Sequence, residues 1–285
     1  MTRLLALNAA RDPIYLPPEQ VLREMAEFGS GRARTLTTSR VLVLSVLAGG
    51  FITVAALFAI LLAAGQENEG LRRLLEGFGF SAGFFFVILS GAVLFTEINV
   101  EMPAVILEYE VRELVVRIAR LWLLAWLGNA FGAWLVGWAV HVSQHYSGEV
   151  QDLLVDVVAT KMQYRDIGGV GGWFQVVISG MLGNWLVGMA AFFAVMGRTI
   201  IGKYIPVFLA VTLFVAANFQ HSPANMGFFG LIMPTGDGPG WGSAFTWNLL
   251  PAGIGNIAGG ALLVALPLHF ALDRVRGRTA GSADV

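Results

Sequence analysis

His221 is the residue in this chain best placed to do chemistry. It lies well inside a stretch, 204–236, that contains no Asp, Glu, Lys or Arg. An ionisable side chain in so apolar a setting marks a pathway or a relay, because burying it is costly. Its imidazole can donate a hydrogen bond or exchange a proton near neutral pH; the plainer alternative is a neutral ring tied to a backbone carbonyl. Ser222 and Pro223 follow it and read as an N-cap residue with proline at the first helical position. A half-helix is therefore expected from Ala224 to about Met233. Thr96, at the end of another charge-free stretch, can cap a helix that begins at Glu97. Half-helix N-termini present unpaired N–H groups and the positive end of the helix dipole. Two of them converging would make an anion site without a full positive charge.

Other polar residues rank below this pair. His141 and His145 have the i,i+4 spacing that can hold a metal on a helix, but no Glu or Cys nearby completes a ligand set. They and His269 are expected at the ends of spans, and no metal site is expected. Asn129, Asn184, Asn248 and Asn256 are amides within or beside spans, suited to bridging helices or supporting broken backbone, with pore lining the lesser reading. Phe95, Phe214 and Phe219 could narrow a passage; Phe95 adjoins Thr96, and Phe214 precedes His221 by two helical turns. Glu97 and Glu101 would repel an anion unless paired, and Arg112 or Arg117 could pair with them.

The elements that must position these groups follow from composition. Of 285 residues 56% are apolar and 13% charged, with 35 glycines and no cysteine, where soluble domains carry about 25% charged residues. Six stretches hold no charged residue: 41–66, 77–96, 121–148, 167–197, 204–236 and 238–272. Each can cross a bilayer core, which takes about 20 apolar residues. This predicts an all-α polytopic membrane protein with six transmembrane helices, the second and fifth interrupted because they contain the breaks. Backbone broken at membrane depth survives only when buried in protein or lining a cavity. The third span contains Gly128-Asn129 and the sixth Gly255-Asn256, 127 residues later; aligning Phe95 with Phe219 gives 124. Two motif pairs at nearly one offset predict an inverted 3+3 repeat, an architecture of aquaporin type.

With six spans both termini share a side, and that side carries all the Lys and Arg except Arg72, Arg73, Lys161 and Arg165. The positive-inside bias places it in the cytoplasm, giving a multi-pass protein of the cell (plasma or inner) membrane. Residues 1–40 read as a cytoplasmic segment, 41–272 as the channel domain and 273–285 as a cytoplasmic tail. Pro13, Pro17 and Pro18 delay any helix. A short amphipathic helix is then expected to end near Gly29, with Val21, Leu22, Met25 and Phe28 on its apolar face, lying on the membrane surface or against the bundle. A net charge of −1 with no basic face argues against nucleic-acid binding. A membrane-embedded enzyme would need a catalytic pair or metal cluster within the spans, where His221 stands alone, and no cofactor is implied. An aquaporin-like channel for neutral solutes would need paired Asn-Pro-Ala motifs; only Ser222-Pro223-Ala224-Asn225 comes near.

Five segments together are similar to the formate/nitrite transporter family: Gly91 to Thr96, Gly128-Asn129, Asn184 to Val187, Asn218 to Met226 and Asn248 to Gly260. The resemblance runs from about residue 40 to 270. It implies a homopentamer in which each protomer has its own pore for a small monovalent anion, within membrane lipid. It also implies His221 as the central pore histidine, Thr96 as the threonine of the loop interrupting span two, and Phe95 and Phe214 as the constriction. Asn184, Asn248 and Lys203 match the family's amides and a basic residue at the start of span five. Two departures stand out. Gln220 takes a place where many members have Glu, and Glu97 and Glu101 follow the threonine where members usually continue with apolar residues.

Overall fold

A computed structural model describes residues 14–109 and 112–272; residues 1–13, with the Pro13 named above, and the 273–285 tail lie outside the described residues. Among the described residues ten helices carry the fold. They are α1 (Pro18–Thr35), α2 (Thr38–Ala63), α3 (Glu69–Ser90), α4 (Phe95–Glu108), α5 (Val115–Ser143), α6 (Gly148–Ile167), α7 (Gly169–Met196), α8 (Ile200–Ala216) and α9 (Ser222–Ile232), followed by α10 (Trp241–Leu272). Six crossings result: α2, the α3/α4 pair, α5, α7, the α8/α9 pair and α10. Starts follow local chemistry. The side chains of Asn68 and Thr199 accept from the N–H groups of Leu71 (3.0 Å) and Gly202 (2.9 Å), satisfying donors that a helix start leaves open.

Small residues let the crossings approach closely, as expected where lipid supplies no hydrophobic drive between helices. A Cβ on Gly132 would be driven into the Val46 carbonyl, and one on Gly49 into the Asn129 carbonyl, so α2 and α5 lie backbone to backbone. The second half repeats the arrangement: Gly255 and Gly259 of α10 face the carbonyls of Val177 and Met181 on α7. α10 holds two π-helical stretches, Phe245–Leu249 and Gly259–Ala265, local expansions of the kind found at functional positions.

α1 is longer than the sequence suggested and does not stop at Gly29. Its missing Cβ instead lets α4 approach, because a methyl there would sit 2.9 Å from the Met102 side chain. Val21, Leu22 and Met25 are buried as expected, but Phe28 is half exposed; its ring lies 4.3 Å from the Arg32 guanidinium. α1 therefore packs against the bundle.

Candidate functional site

Both predicted breaks are present, and they are built alike. α3 ends at Gly91 with φ 68°, and Asn218, with φ 55°, follows α8 in the same left-handed region. Asn129 then clamps the first break: its Oδ1 accepts from the Phe95 N–H (2.9 Å) while its Nδ2 donates to the carbonyls of Ser45 (2.8 Å) and Val93 (3.0 Å). Asn256 clamps the second: Oδ1 accepts from the Ser222 N–H (2.8 Å) and Nδ2 donates to the carbonyls of Gly180 (2.8 Å) and Gln220 (3.1 Å). Gly91 and Asn218, Val93 and Gln220, Phe95 and Ser222, and Asn129 and Asn256 are thus each 127 residues apart. The partner of Phe95 is Ser222, not Phe219, and the 124-residue offset is corrected to the one the asparagines share. This equivalence is consistent with an inverted repeat.

The caps differ from expectation. The N-cap of α9 is His221, whose Nδ1 accepts from the Ala224 N–H at 3.1 Å. Ser222 moves into the first turn, where its hydroxyl donates to the Leu249 carbonyl (3.0 Å) and accepts from Trp126 Nε1 (2.9 Å). Because a backbone N–H can only donate, His221 Nδ1 is bare and the ring proton of the neutral form rests on Nε2. At the other break Leu94 takes the cap position, and Thr96 lies within the first turn of α4 rather than capping it.

His221 is 1% exposed, and its ring centroid is 5.2 Å from that of Phe214. Phe95, 4% exposed, belongs to the same neighbourhood: a Cβ on Gly253 would meet Trp126 Nε1, Ser222 Oγ and the Phe95 ring within 4 Å. Gln220 Oε1 accepts from both Asn225 Nδ2 (2.8 Å) and Asn248 Nδ2 (2.9 Å), and Asn248 also donates to the Lys161 carbonyl (2.7 Å). The first π-helical stretch thus delivers Asn248 into an all-amide cluster beside the histidine. His221 Nε2, Thr96 Oγ1, Gln220 Nε2 and Asn225 Oδ1 are buried with no partner among the described residues. Native proteins leave few such atoms unpaired, and unpaired ones call for an explanation such as a function or an ion. Asn184 stands apart from this cluster, near Asn99 and Gly260, its amide also unpartnered.

Each break has a cation inserted from a surface helix, which sequence reasoning missed. Arg32 of α1 donates to the Ala92 carbonyl (3.2 Å) and pairs with Glu97 (3.0 Å) and Glu101 (2.9 Å). The partner of the two acids is Arg32, neither Arg112 nor Arg117. Lys161 of α6 donates to the Phe219 carbonyl (3.4 Å), 127 residues on from Ala92, and has no carboxylate in ion-pair range among the described residues. Burial pushes its ammonium down to about 8, against the opposing pull of Glu76. Arg32 and Lys161 escaped notice because each lies outside the charge-free stretches, 60 and 58 residues from the carbonyl it reaches.

A cavity opens on each side. The one on the α1 side, about 850 Å³, is lined by Arg32, Glu97, Glu101, Arg198 and Lys203 among others; the one on the α6 side, about 300 Å³, by Arg72, Arg73, Glu76, Lys161 and Asn218. Lys203 Nζ is held by the Ala194 carbonyl at 2.6 Å. His141 and His145 line a third pocket with Tyr146 and Gln151, and His269 Nδ1 lies 3.2 Å from Glu108 Oε1.

Two interrupted crossings, clamped alike and flanked by a cavity on either side, are the architecture of a multi-pass membrane protein of transport type. The chain belongs to the formate/nitrite transporter family, whose model matches residues 19–270. It is 32% identical over 241 residues to a probable formate transporter of Methanothermobacter thermautotrophicus, covering 79% of this chain and 86% of that one. It is 29% identical over 280 residues to the formate channel FocA of Escherichia coli K12, covering 90% and 95%. Among solved structures, the fold is similar to that of a pentameric formate channel with formate bound (TM-score 0.70, 22% identity, 82% of this chain and 97% of that one). A second likeness is to an FNT family ion channel (TM-score 0.71, 20% identity, 89% and 98%).

Proposed function

We propose that the protein moves small monovalent weak-acid anions, of the formate, nitrite, hydrosulfide, acetate or lactate class, across the cell membrane through a pore in each protomer of a homopentamer. The α1 side faces the cytoplasm. The observation that carries this reading is the unpartnered, buried Nε2–H of His221 at the start of a half-helix, next to Phe214. Formate channels among the relatives support the anion class, and the pentameric channel with formate bound supports the assembly.

An anion entering from the α6 side meets Lys161, then the amide cluster of Gln220, Asn225 and Asn248. Phe214 and Phe95 bound the dry section, with Phe219 at its outer edge; there a low dielectric favours the neutral, protonated acid. His221 offers Nε2–H, and Thr96 offers its hydroxyl from the facing half-helix. To relay a proton the ring passes through the imidazolium: a proton taken at Nδ1 releases the Ala224 N–H, and the Nε2 proton goes to the anion. The freed Ala224 N–H becomes a further donor at the mouth of α9. Asn184, Lys203, Glu97 and Glu101 line the route toward the α1 side.

Stopped-flow uptake into proteoliposomes, with a panel of weak acids and strong-acid anions, tests the reading; weak acids should move and strong-acid anions lag well behind. Equal rates for both classes would sink it. Within that assay Lys161 has its own signature. Its ammonium is charged below about 8 and neutral above, so entry from the α6 side should fall as external pH rises through that value. Lys161→Met should lower uptake about threefold to tenfold, the scale of one partly screened charge, and flatten that limb of the pH profile.

A further inference from the structure

The two mouths hold equivalent cations in opposite electrostatic settings. On the α6 side the Lys161 ammonium donates to the Phe219 carbonyl and shares its cavity with Arg72, Arg73, Glu76 and Asp156, with no carboxylate in ion-pair range among the described residues. On the α1 side Arg32, 6% exposed, is held between Glu97 (8%) and Glu101 (2%). Two carboxylates against one guanidinium leave this cluster one negative charge in excess, over the first two turns of the half-helix that carries Thr96. Other charges facing the same cavity do not reach it. Glu24 and Arg198 pair with each other at 3.8 Å, Lys203 is tied to a carbonyl, and Glu27 lies exposed on the rim. Glu108, further along α4, is beside His269. A buried ion pair robbed of one partner leaves an uncompensated charge in a poorly screened site, and here that charge would have the sign of the cargo.

Resting on the weak-acid reading above, we propose that Arg32 determines the charge selectivity of the α1-side mouth. By cancelling half of the Glu97 and Glu101 charge, it lowers the repulsion that this mouth sets against anions. Arg32 acts through the two acids and does not itself bind the anion: its guanidinium is already taken up by three oxygens of the acids and by the carbonyls of Gly91 and Ala92. The selectivity of the pore at this end is therefore supplied by α1, an element outside the spans.

The test is formate uptake into proteoliposomes, from neutral to acid pH, by the wild type, Arg32→Met, Glu97→Gln/Glu101→Gln and the triple variant. Arg32→Met should lose about tenfold in flux near neutral pH, the effect of a full charge at short range in a semi-polar site. The triple variant, whose cluster carries no charge, should escape the loss of the single variant and move formate at least as fast as the wild type across the range. With Arg32 kept, Glu97→Gln/Glu101→Gln should exceed the wild type, and this arm decides the matter if Arg32→Met does not fold. Wild-type flux in Arg32→Met, a triple variant as slow as the single one, or no gain in the double would each overturn the proposal while the weak-acid reading stands. No weak-acid flux through the wild type would overturn both.

Discussion

His221→Asn should assemble normally and yet lose weak-acid flux by about 100-fold, the lower end of what a positioned proton donor contributes, together with the pH dependence of that flux. Asparagine is chosen because it separates two jobs that one ring performs. As an N-cap it can accept from the first-turn N–H groups as well as any residue, so the start of α9 stays closed, and its amide still offers hydrogen-bond donors. It cannot pass a proton on. His221→Ala removes both jobs, and the lost cap should cost about 1 kcal/mol of stability in addition. Proteoliposome uptake over a range of pH, beside a thermal scan of the purified protein, reads both quantities. Wild-type flux and pH profile in His221→Asn would rule out the relay and leave the histidine a hydrogen-bond donor and helix cap.

Asn129→Leu and Asn256→Leu should each destabilise the protein by about 3 kcal/mol or more, since leaving buried backbone donors and acceptors unpaired costs about 1–3 kcal/mol apiece. Each asparagine accepts one bond from a break, donates one to it and donates one to a neighbouring helix, and leucine fills much of the same volume without any of them. The two losses should be similar in size, because the bonds correspond one for one. Asn129→Asp keeps the acceptor for Phe95 N–H but not the donors, and should be no better, with a buried charge added. Thermal unfolding in detergent measures the effect; a midpoint within a degree or two of wild type would mean that the breaks hold without their clamps.

How much of this was legible beforehand follows from range. The six crossings and both breaks could be read because uncharged length, proline and glycine act within a few residues. The offset between Asn129 and Asn256 could be read for the same reason. Misplacing Phe219 against Phe95 by three residues came from matching side-chain type, when the shared feature is backbone: a left-handed residue at Gly91 and Asn218, then a clamped N–H. Taking Ser222 as the cap followed the usual preference for a hydroxyl; tertiary bonds to Leu249 and Trp126 claim that hydroxyl, and the imidazole takes the cap instead. Gly29 read as a stop because glycine ends helices, yet here it serves contact with α4. Arg32 and Lys161 could not be found from spacing at all, since only the packing of surface helices over the breaks brings them in.

Asn129 and Asn256 have a consequence for how titrations of this protein will read. The groups that fix the starts of both half-helices are amides, which neither gain nor lose protons in the aqueous range, and the clamps are fully buried, where salt screens little. The frame is thus chemically silent: acidifying the solution leaves these clamps intact. A pH profile of transport accordingly carries no contribution from the clamps themselves.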